Sequence, residues 1–280
     1  CSHAYLDSFI STAPTELAYC LALIHAMDDS DDATFPPWVS KNHPHTSNIM
    51  RRLRASPCMT GCDWCRKKLD TRLGLKKFFG FDAFRTYAGE PLQEDAARAA
   101  IEGRSLLAVF PTGGGKAIAF QVPALMSGEN EKGLTVVISP LQSLMKDQVD
   151  NLEARGITKA VAVNGLLDPI ERAKLLERLA DVSATILYLA PEFLHSYTIE
   201  SLLLGRNLVR FVIDEAHCFS SWGQDFRPDY LYIGRCIKEL QEKRPNAPAI
   251  SISCFTATAK QRVVASTAPK LPHLIPRISR

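Results

Sequence analysis

Six short apolar runs, each bounded by turn signals and separated from the next by a helical pattern, limit what this chain can fold into more than any other feature. They are SLLAVF (105–110), LTVVIS (134–139), AVAVN (160–164), TILYLA (185–190), VRFVID (209–214) and AISISCF (249–255). A run apolar on both faces cannot lie with one face in water. Strands that alternate with helices join in parallel, because each crossover needs an element long enough to carry the chain back. DPIERAKLLERLAD follows the same grammar: Asp168 stands as N-cap, Pro169 in the first turn, and Leu175, Leu176 and Leu179 at helical spacing. The expected fold class is α/β, a central parallel sheet covered by helices on both sides. Ligands of such sheets bind at the carboxyl ends of the strands, so functional residues are to be sought there.

With 280 residues, 46% hydrophobic and 22% charged, the chain has globular composition and length for one large or two modest domains. No run approaches the roughly eighteen apolar residues of a membrane helix, and CSHAYLDSF lacks the order of a signal peptide. A cytoplasmic location and no membrane partner are therefore expected. The absence of an initial Met points to a piece of something longer. A net charge of +3 conceals an uneven distribution: residues 1–50 carry Lys41 against six acids, and residues 51–80 carry nine Lys/Arg against Asp63 and Asp70. Such a basic block suits a phosphate backbone or a solvated helix face equally.

Directly after the first strand run comes PTGGGKA (111–117), followed by the helical AIAFQVPALM. Gly113, Gly114 and Gly115 free the backbone to converge several N–H groups on one phosphate, and the N-terminus of the following helix adds partial positive charge. Lys116 would reach the β and γ phosphates. A loop of the GxxxxGK[ST] form carries a hydroxyl after its lysine to hold magnesium, and in this chain that position is Ala117. Alone, a glycine–lysine turn also joins strands to helices for purely structural reasons. The second half decides. The run VRFVI ends in DEAH, so Asp214 and Glu215 lie at the carboxyl end of a strand in the same sheet. One can hold magnesium through water, and the other can orient or deprotonate the water that attacks the γ phosphate.

PTGGGK and DEAHCFSSWGQDFRPDY together resemble superfamily 2 helicases, and specifically the RecQ family of ATP-dependent DNA helicases. The likeness runs from residue 78 to about 264. FFGFDAFR…PLQE is similar to the family motif that precedes the phosphate loop, VVISPLQSLMKDQV to motif Ia, LYLAPEFL to the next, VIDEAHC to motif II, SSWGQDFRPDY to the aromatic-rich loop and SCFTATA to motif III. The resemblance implies a RecA-like P-loop NTPase domain over 78–268 that uses ATP and Mg2+ and engages DNA. It implies that Thr112, the three glycines and Lys116 bind nucleotide, with Ala117 at the magnesium position. Gln93 would pair with the adenine edge, and Phe81 and Arg85 would stack on the base. His217 would couple the nucleotide site to Thr256 and Thr258. Ser139, Gln142 and Lys146 would contact the DNA backbone. Trp222 and Phe226 would stack on single-stranded bases, at about 1–3 kcal/mol per base, with Arg227 on phosphate. Without the resemblance these residues read as a surface amide, core rings, solvated cations and a satisfied histidine. Because the chain stops at Arg280, the resemblance further implies that the second RecA-like domain and its arginine finger are missing, a factor of about 10³–10⁵ in rate. The piece alone is then expected not to unwind DNA.

The first eighty residues fall outside that likeness. APTELAYCLALIHAM (13–27) and NIMRRLR (48–54) have helical patterns, with the proline-rich FPPWVSKNHPHTSN between them. SHAYLDSFISTA, a stretch that suits any helix, is also similar to the last motif of DnaQ-like 3'-5' exonucleases, with Asp7 as its acid and Ser2 where that motif has His. Residues 1–57 are then a helical and loop segment that ends a preceding domain, 58–77 a cysteine-containing basic linker and 269–280 a tail. Cys58, Cys62 and Cys65 in PCMTGCDWC have a spacing that suits zinc or an iron–sulfur cluster, with Cys1, Cys20, His43 or His45 as fourth ligand, or are three reduced thiols. Cys20, Cys218, Cys236 and Cys254 stand singly and read as small buried hydrophobes.

Overall fold

The computed structural model describes residues 13–18, 20, 37–43, 46–55, 57, 63–111, 113–165, 167–219, 229–245 and 247–257. Each of the six apolar runs forms a strand: β1 Leu106–Val109, β2 Leu134–Ile138, β3 Ala160–Val163, β4 Ile186–Leu189, β5 Leu208–Ile213 and β6 Ser251–Thr256. They pair in parallel throughout, in the order β1-β6-β5-β2-β4-β3. The last run joins the sheet two residues later than its apolar start. The Ile250 N–H is taken by the Gln241 side chain at 3.0 Å, and sheet pairing begins at Ser251 opposite Arg210.

The α-helices after residue 36 in the described part are α1 Pro37–Asn42, α2 Thr46–Ala55, α3 Asp63–Lys68, α4 Thr71–Phe79, α5 Leu92–Ile101, α6 Lys116–Glu131, α7 Gln142–Glu153, α8 Pro169–Ala180, α9 Tyr197–Gly205 and α10 Asp229–Glu242; residues 14–18 are also helical, and short 3-10 turns span Pro191–His195 and Ala216–Phe219. The start of α8 follows the sequence rule closely. The Asp168 carboxylate accepts from the Glu171 N–H at 2.7 Å, and the Glu171 carboxylate accepts from the Asp168 N–H at 3.1 Å. This reciprocal cap satisfies two otherwise orphaned donors. Among the described residues no helix is long and apolar enough to cross a membrane.

Alternate strand residues enter two separate cores, which is why the runs are apolar on both faces. Ala108, Val137, Val212 and Phe255 pack with residues of α4, α5 and α6. Leu107, Val136, Phe211 and Cys254 pack on the opposite face with residues of α8, α9 and α10. Each large apolar side chain wholly buried in this way, Phe211 among them, contributes about 1.5–3 kcal/mol.

The segment 58–77, read from sequence as a linker, carries α3 and the start of α4, and its Cys65, Leu69 and Leu75 belong to the first core. Cys65 therefore occupies the place of a small apolar side chain. Cys58 and Cys62 lie outside the described residues, and among the described residues no three potential ligands cluster as a metal would require. The zinc or iron–sulfur expectation gains no support. Cys20, Cys236 and Cys254 are buried as expected, and burial pushes their thiols up to about 11, 12 and 12. Cys218 is half-buried. Within the basic block Arg66 pairs with Asp63, Arg72 with Glu94, Lys76 with Asp82 and Lys77 with Glu129.

Candidate nucleotide site

The loop from β1 to α6 is built from backbone. Phe110 donates its N–H to the Thr256 carbonyl at 2.9 Å, tying the end of β1 to the end of β6, and the Gly114 N–H closes a turn on the Pro111 carbonyl at 2.9 Å. Gly113 and Gly115 take φ of +73° and +64°, a left-handed conformation that side chains resist. Gly114 is required for a different reason: a Cβ there would lie 2.7 Å from the Pro111 carbonyl oxygen. Two side chains from the preceding segment hold consecutive carbonyls of this loop. The Tyr87 hydroxyl donates to Gly114, and Gln93 Nε2 donates to Gly115 at 2.8 Å.

Gln93 is only 3% exposed, and its Oε1 accepts from the Arg85 N–H at 2.9 Å. One amide hydrogen and one lone pair are left for another partner. The Arg85 guanidinium is exposed beside Gly115, with Nη1 3.7 Å from where a Cβ would stand. Phe81 is not brought to the loop in the same way. Its exposed ring lies under the Arg155 guanidinium, 5.5 Å from the ring centroid. Thr112 lies outside the described residues.

The turn after β5 is built from side chains. Asp214 donates its N–H to the Ile138 carbonyl of β2 at 2.9 Å, and its own carbonyl accepts from the Tyr230 hydroxyl at 3.2 Å. Glu215 takes a φ of +51°, unusual for a residue with a side chain, and its N–H donates to Asp214 Oδ1 at 2.9 Å. Opposite, Lys116 Nζ lies 2.8 Å from Asp214 Oδ1 and also pairs with Glu215 Oε1. Glu215 Oε2 is in turn 3.1 Å from His217 Nδ1, and that nitrogen is 3.4 Å from Thr256 Oγ1. His217 thus bridges the acid turn and the end of β6. Thr258 lies outside the described residues.

These contacts fix the electrostatics. Burial alone would lower the Lys116 pKa, but Asp214 and Glu215 outweigh it and hold the ammonium above the ordinary lysine range. Asp214 is pushed above the ordinary carboxylate range, chiefly by burial, with Lys116 offsetting part of the rise and Glu215 adding to it. Two carboxylates facing one ammonium in a half-buried cleft favour a further cation, and the glycine amides favour an anion. Such a donor set fits a magnesium-bound polyphosphate. Ala117 is half-buried against the first core and supplies no oxygen.

Of the residues expected to meet DNA, Gln142 and Lys146 lie on the first turns of α7, Lys146 exposed and Gln142 half-buried. Ser139 is buried, and its hydroxyl has no hydrogen-bond partner among the described residues. Trp222, Phe226 and Arg227 lie outside the described residues. Two features escaped the sequence reading. One is Tyr87, whose only signal is the Ala-Gly pair that follows it. The other is a buried amide bridge, in which Gln121 Nε2 of α6 is 2.9 Å from both Gln148 Oε1 of α7 and the Tyr188 hydroxyl of β4. Nothing in the sequence distinguishes those glutamines from surface ones.

Comparison with known proteins places the chain in a family. A family model described as DEAD/DEAH box helicase matches residues 90–267. The chain is 40% identical over 218 residues to ATP-dependent DNA helicase Q5 of Rattus norvegicus, covering 75% of this chain and 20% of that protein. It is 42% identical over 185 residues to ATP-dependent DNA helicase RecQ of Bacillus subtilis (strain 168), covering 66% of this chain and 29% of that one. The chain therefore spans only between about a fifth and a third of these curated relatives. The crystal structure of the DUF1998 helicase MrfA bound to DNA shares the fold, with a TM-score of 0.59 at 21% identity, over 75% of this chain and 29% of that one. The chain belongs to the DEAD/DEAH box helicase family, and its relatives there include helicases of RecQ type.

Proposed function

We propose that this chain is the ATP-binding motor domain of a RecQ-like 3'-5' DNA helicase, in which ATP hydrolysis drives the unwinding of DNA by the whole enzyme. The observation that carries the reading is the placement of Lys116 between the glycine loop and the Asp214–Glu215 pair. In this reading the Gly113–Gly115 amides and Lys116 hold the phosphate chain, and Lys116 exchanges its carboxylate partners for phosphate oxygens. Asp214 would hold magnesium, which when bound would supply charge neutralisation to the phosphate chain. Glu215 orients and deprotonates the attacking water, and His217 passes the state of that carboxylate to Thr256. Arg85 lies over the base, and Gln93 offers it the rest of its amide. Lys146, Gln142 and the segment with Trp222, Phe226 and Arg227 are the proposed DNA contacts, and a second RecA-like domain is the proposed partner that supplies an arginine finger.

Ala117 favours a second reading, a nucleotide- and DNA-binding module without turnover. A methyl in place of the hydroxyl leaves phosphate docking intact and weakens the hold on magnesium. DNA-stimulated ATP hydrolysis by this chain fused to a second RecA-like domain, with and without Ala117→Ser, separates the two. Turnover with Ala117 in place supports the motor, and turnover only after Ala117→Ser supports the binding module. No turnover in either form overturns the enzyme.

A further inference from the structure

Between Arg85 and α5 the chain makes a two-residue hairpin. Tyr87 and Glu90 exchange both backbone hydrogen bonds at 2.9 Å, and Ala88 and Gly89 between them have φ of +50° and +89°. A type I′ turn requires positive φ at both central residues, and alanine accepts that conformation only where its surroundings enforce it. Ala88, Gly89 and Glu90 are all exposed, so the hairpin has no core of its own. Its anchor is the Tyr87 side chain. The ring meets Phe110 edge-on, with centroids 5.5 Å apart and planes at 90°, and the hydroxyl continues to the Gly114 carbonyl in the phosphate loop.

We infer that Tyr87 is a positioning residue of the phosphate site: its hydroxyl locks the Gly114–Gly115 peptide with the carbonyl toward the hairpin and the N–H toward the phosphate. The step follows from the planar trans peptide, in which C=O and N–H point in opposite directions, so holding one aims the other. Gln93 does the same for the next peptide through the Gly115 carbonyl. A run of three glycines otherwise samples many peptide orientations, and ordering them on binding costs entropy. Tyr87 removes part of that cost before the ligand arrives. Burial pushes its phenol above the ordinary range, so it remains protonated and able to donate.

The inference rests on the reading of this loop as a phosphate site and names one more residue of it. Tyr87→Phe deletes only the hydroxyl and keeps the ring on Phe110. The test is displacement of a ribose-labelled fluorescent ATP by ATP and by inorganic triphosphate, together with the melting temperature without ligand. The expected result is a loss of about five- to tenfold in affinity for both competitors, the cost of ordering on binding a loop no longer held in advance, with the melting temperature lowered by no more than about 2–4 °C, the worth of one net hydrogen bond in the free protein. Equal affinities in the two proteins would overturn the inference, as would a lower melting temperature with triphosphate affinity unchanged. If the unaltered chain binds neither ATP nor triphosphate, the phosphate-site reading fails, an outcome distinct from a site that binds equally well without the hydroxyl.

Discussion

The loop that leaves β1 and the turn that leaves β5 face each other across β6, at the same end of one sheet. In the first, glycine conformations and held carbonyls define the shape, and one side chain, Lys116, projects from it. In the second, a buried Asp214, a left-handed Glu215 and a bridging His217 define it. A site made of backbone presents several N–H groups and tolerates the loss of one side-chain ligand, which is how a loop ending in Lys116-Ala117 can still be a phosphate loop. A site made of side chains has no such reserve, because each carboxylate has its own place and its own task. The acid turn is also where the fold is loaded: the positive φ of Glu215 costs roughly 1–2 kcal/mol, and the Asp214 charge is buried.

Breaking the side-chain half should therefore separate chemistry from binding. Glu215→Gln removes the proposed base and its ion pair with Lys116 but leaves the loop amides and the Lys116–Asp214 pair in place. In the two-domain form, DNA-stimulated ATP hydrolysis is expected to fall about 10²–10⁴-fold, with ATP affinity kept within about threefold. Parallel loss of affinity would show that the two halves are not distinct. Breaking the backbone half should do the reverse. Gly114→Ala places a Cβ 2.7 Å from the Pro111 carbonyl oxygen, so the loop must shift. Overpacking of this kind costs about 1–3 kcal/mol, and ATP affinity measured by titration should fall at least about tenfold. Turnover of the nucleotide that still binds should change much less.

The two halves were unequally legible in the sequence. Glycines and a lysine between a strand and a helix point to a backbone site without deciding it, since such turns also serve structural ends, and the reading needed the acid pair in the same sheet. Asp214 and Glu215 were legible because the strand VRFVI stops at them. The sheet itself was legible for a similar reason: continuous apolar runs closed by turn residues have few alternatives. What stayed hidden is tertiary. That Tyr87 reaches Gly114, that Gln121 joins Tyr188 and Gln148, and that Cys65 fills a core instead of standing apart with its neighbours depends on which helices cross. Local pattern carries no trace of those crossings. The left-handed Ala88 was hidden too, because alanine is a poor advertisement for positive φ.

The loading of the acid turn gives a subtler test. Asp214 binds its proton more tightly folded than unfolded, so ionisation penalises the fold. The penalty is fully present above the raised pKa and disappears below the ordinary carboxylate value of about 3.9. Asp214→Asn keeps the shape without the charge. It is expected to raise the melting temperature at neutral pH, with the gain vanishing as the pH is brought below about 4, while magnesium-dependent nucleotide binding is lost. A lower melting temperature at neutral pH would mean that the pairing with Lys116 outweighs the burial of the carboxylate.

The smallest effect is expected at Ala117, and it bears most directly on how the two halves share the metal. If the loop holds phosphate by its amides, Ala117→Ser should leave ATP affinity in the absence of magnesium unchanged, because the new hydroxyl is not a phosphate ligand. With magnesium present, affinity should rise only a few-fold, about 1 kcal/mol at most, as expected of one neutral oxygen added beside the Asp214–Glu215 pair. Titration with and without magnesium reads both. A large gain without magnesium would place the hydroxyl on phosphate and make the loop depend on side chains after all. A large gain only with magnesium would move the metal's main anchor from Asp214 to the loop, and the division between a backbone half and a side-chain half would have to be redrawn at residue 117.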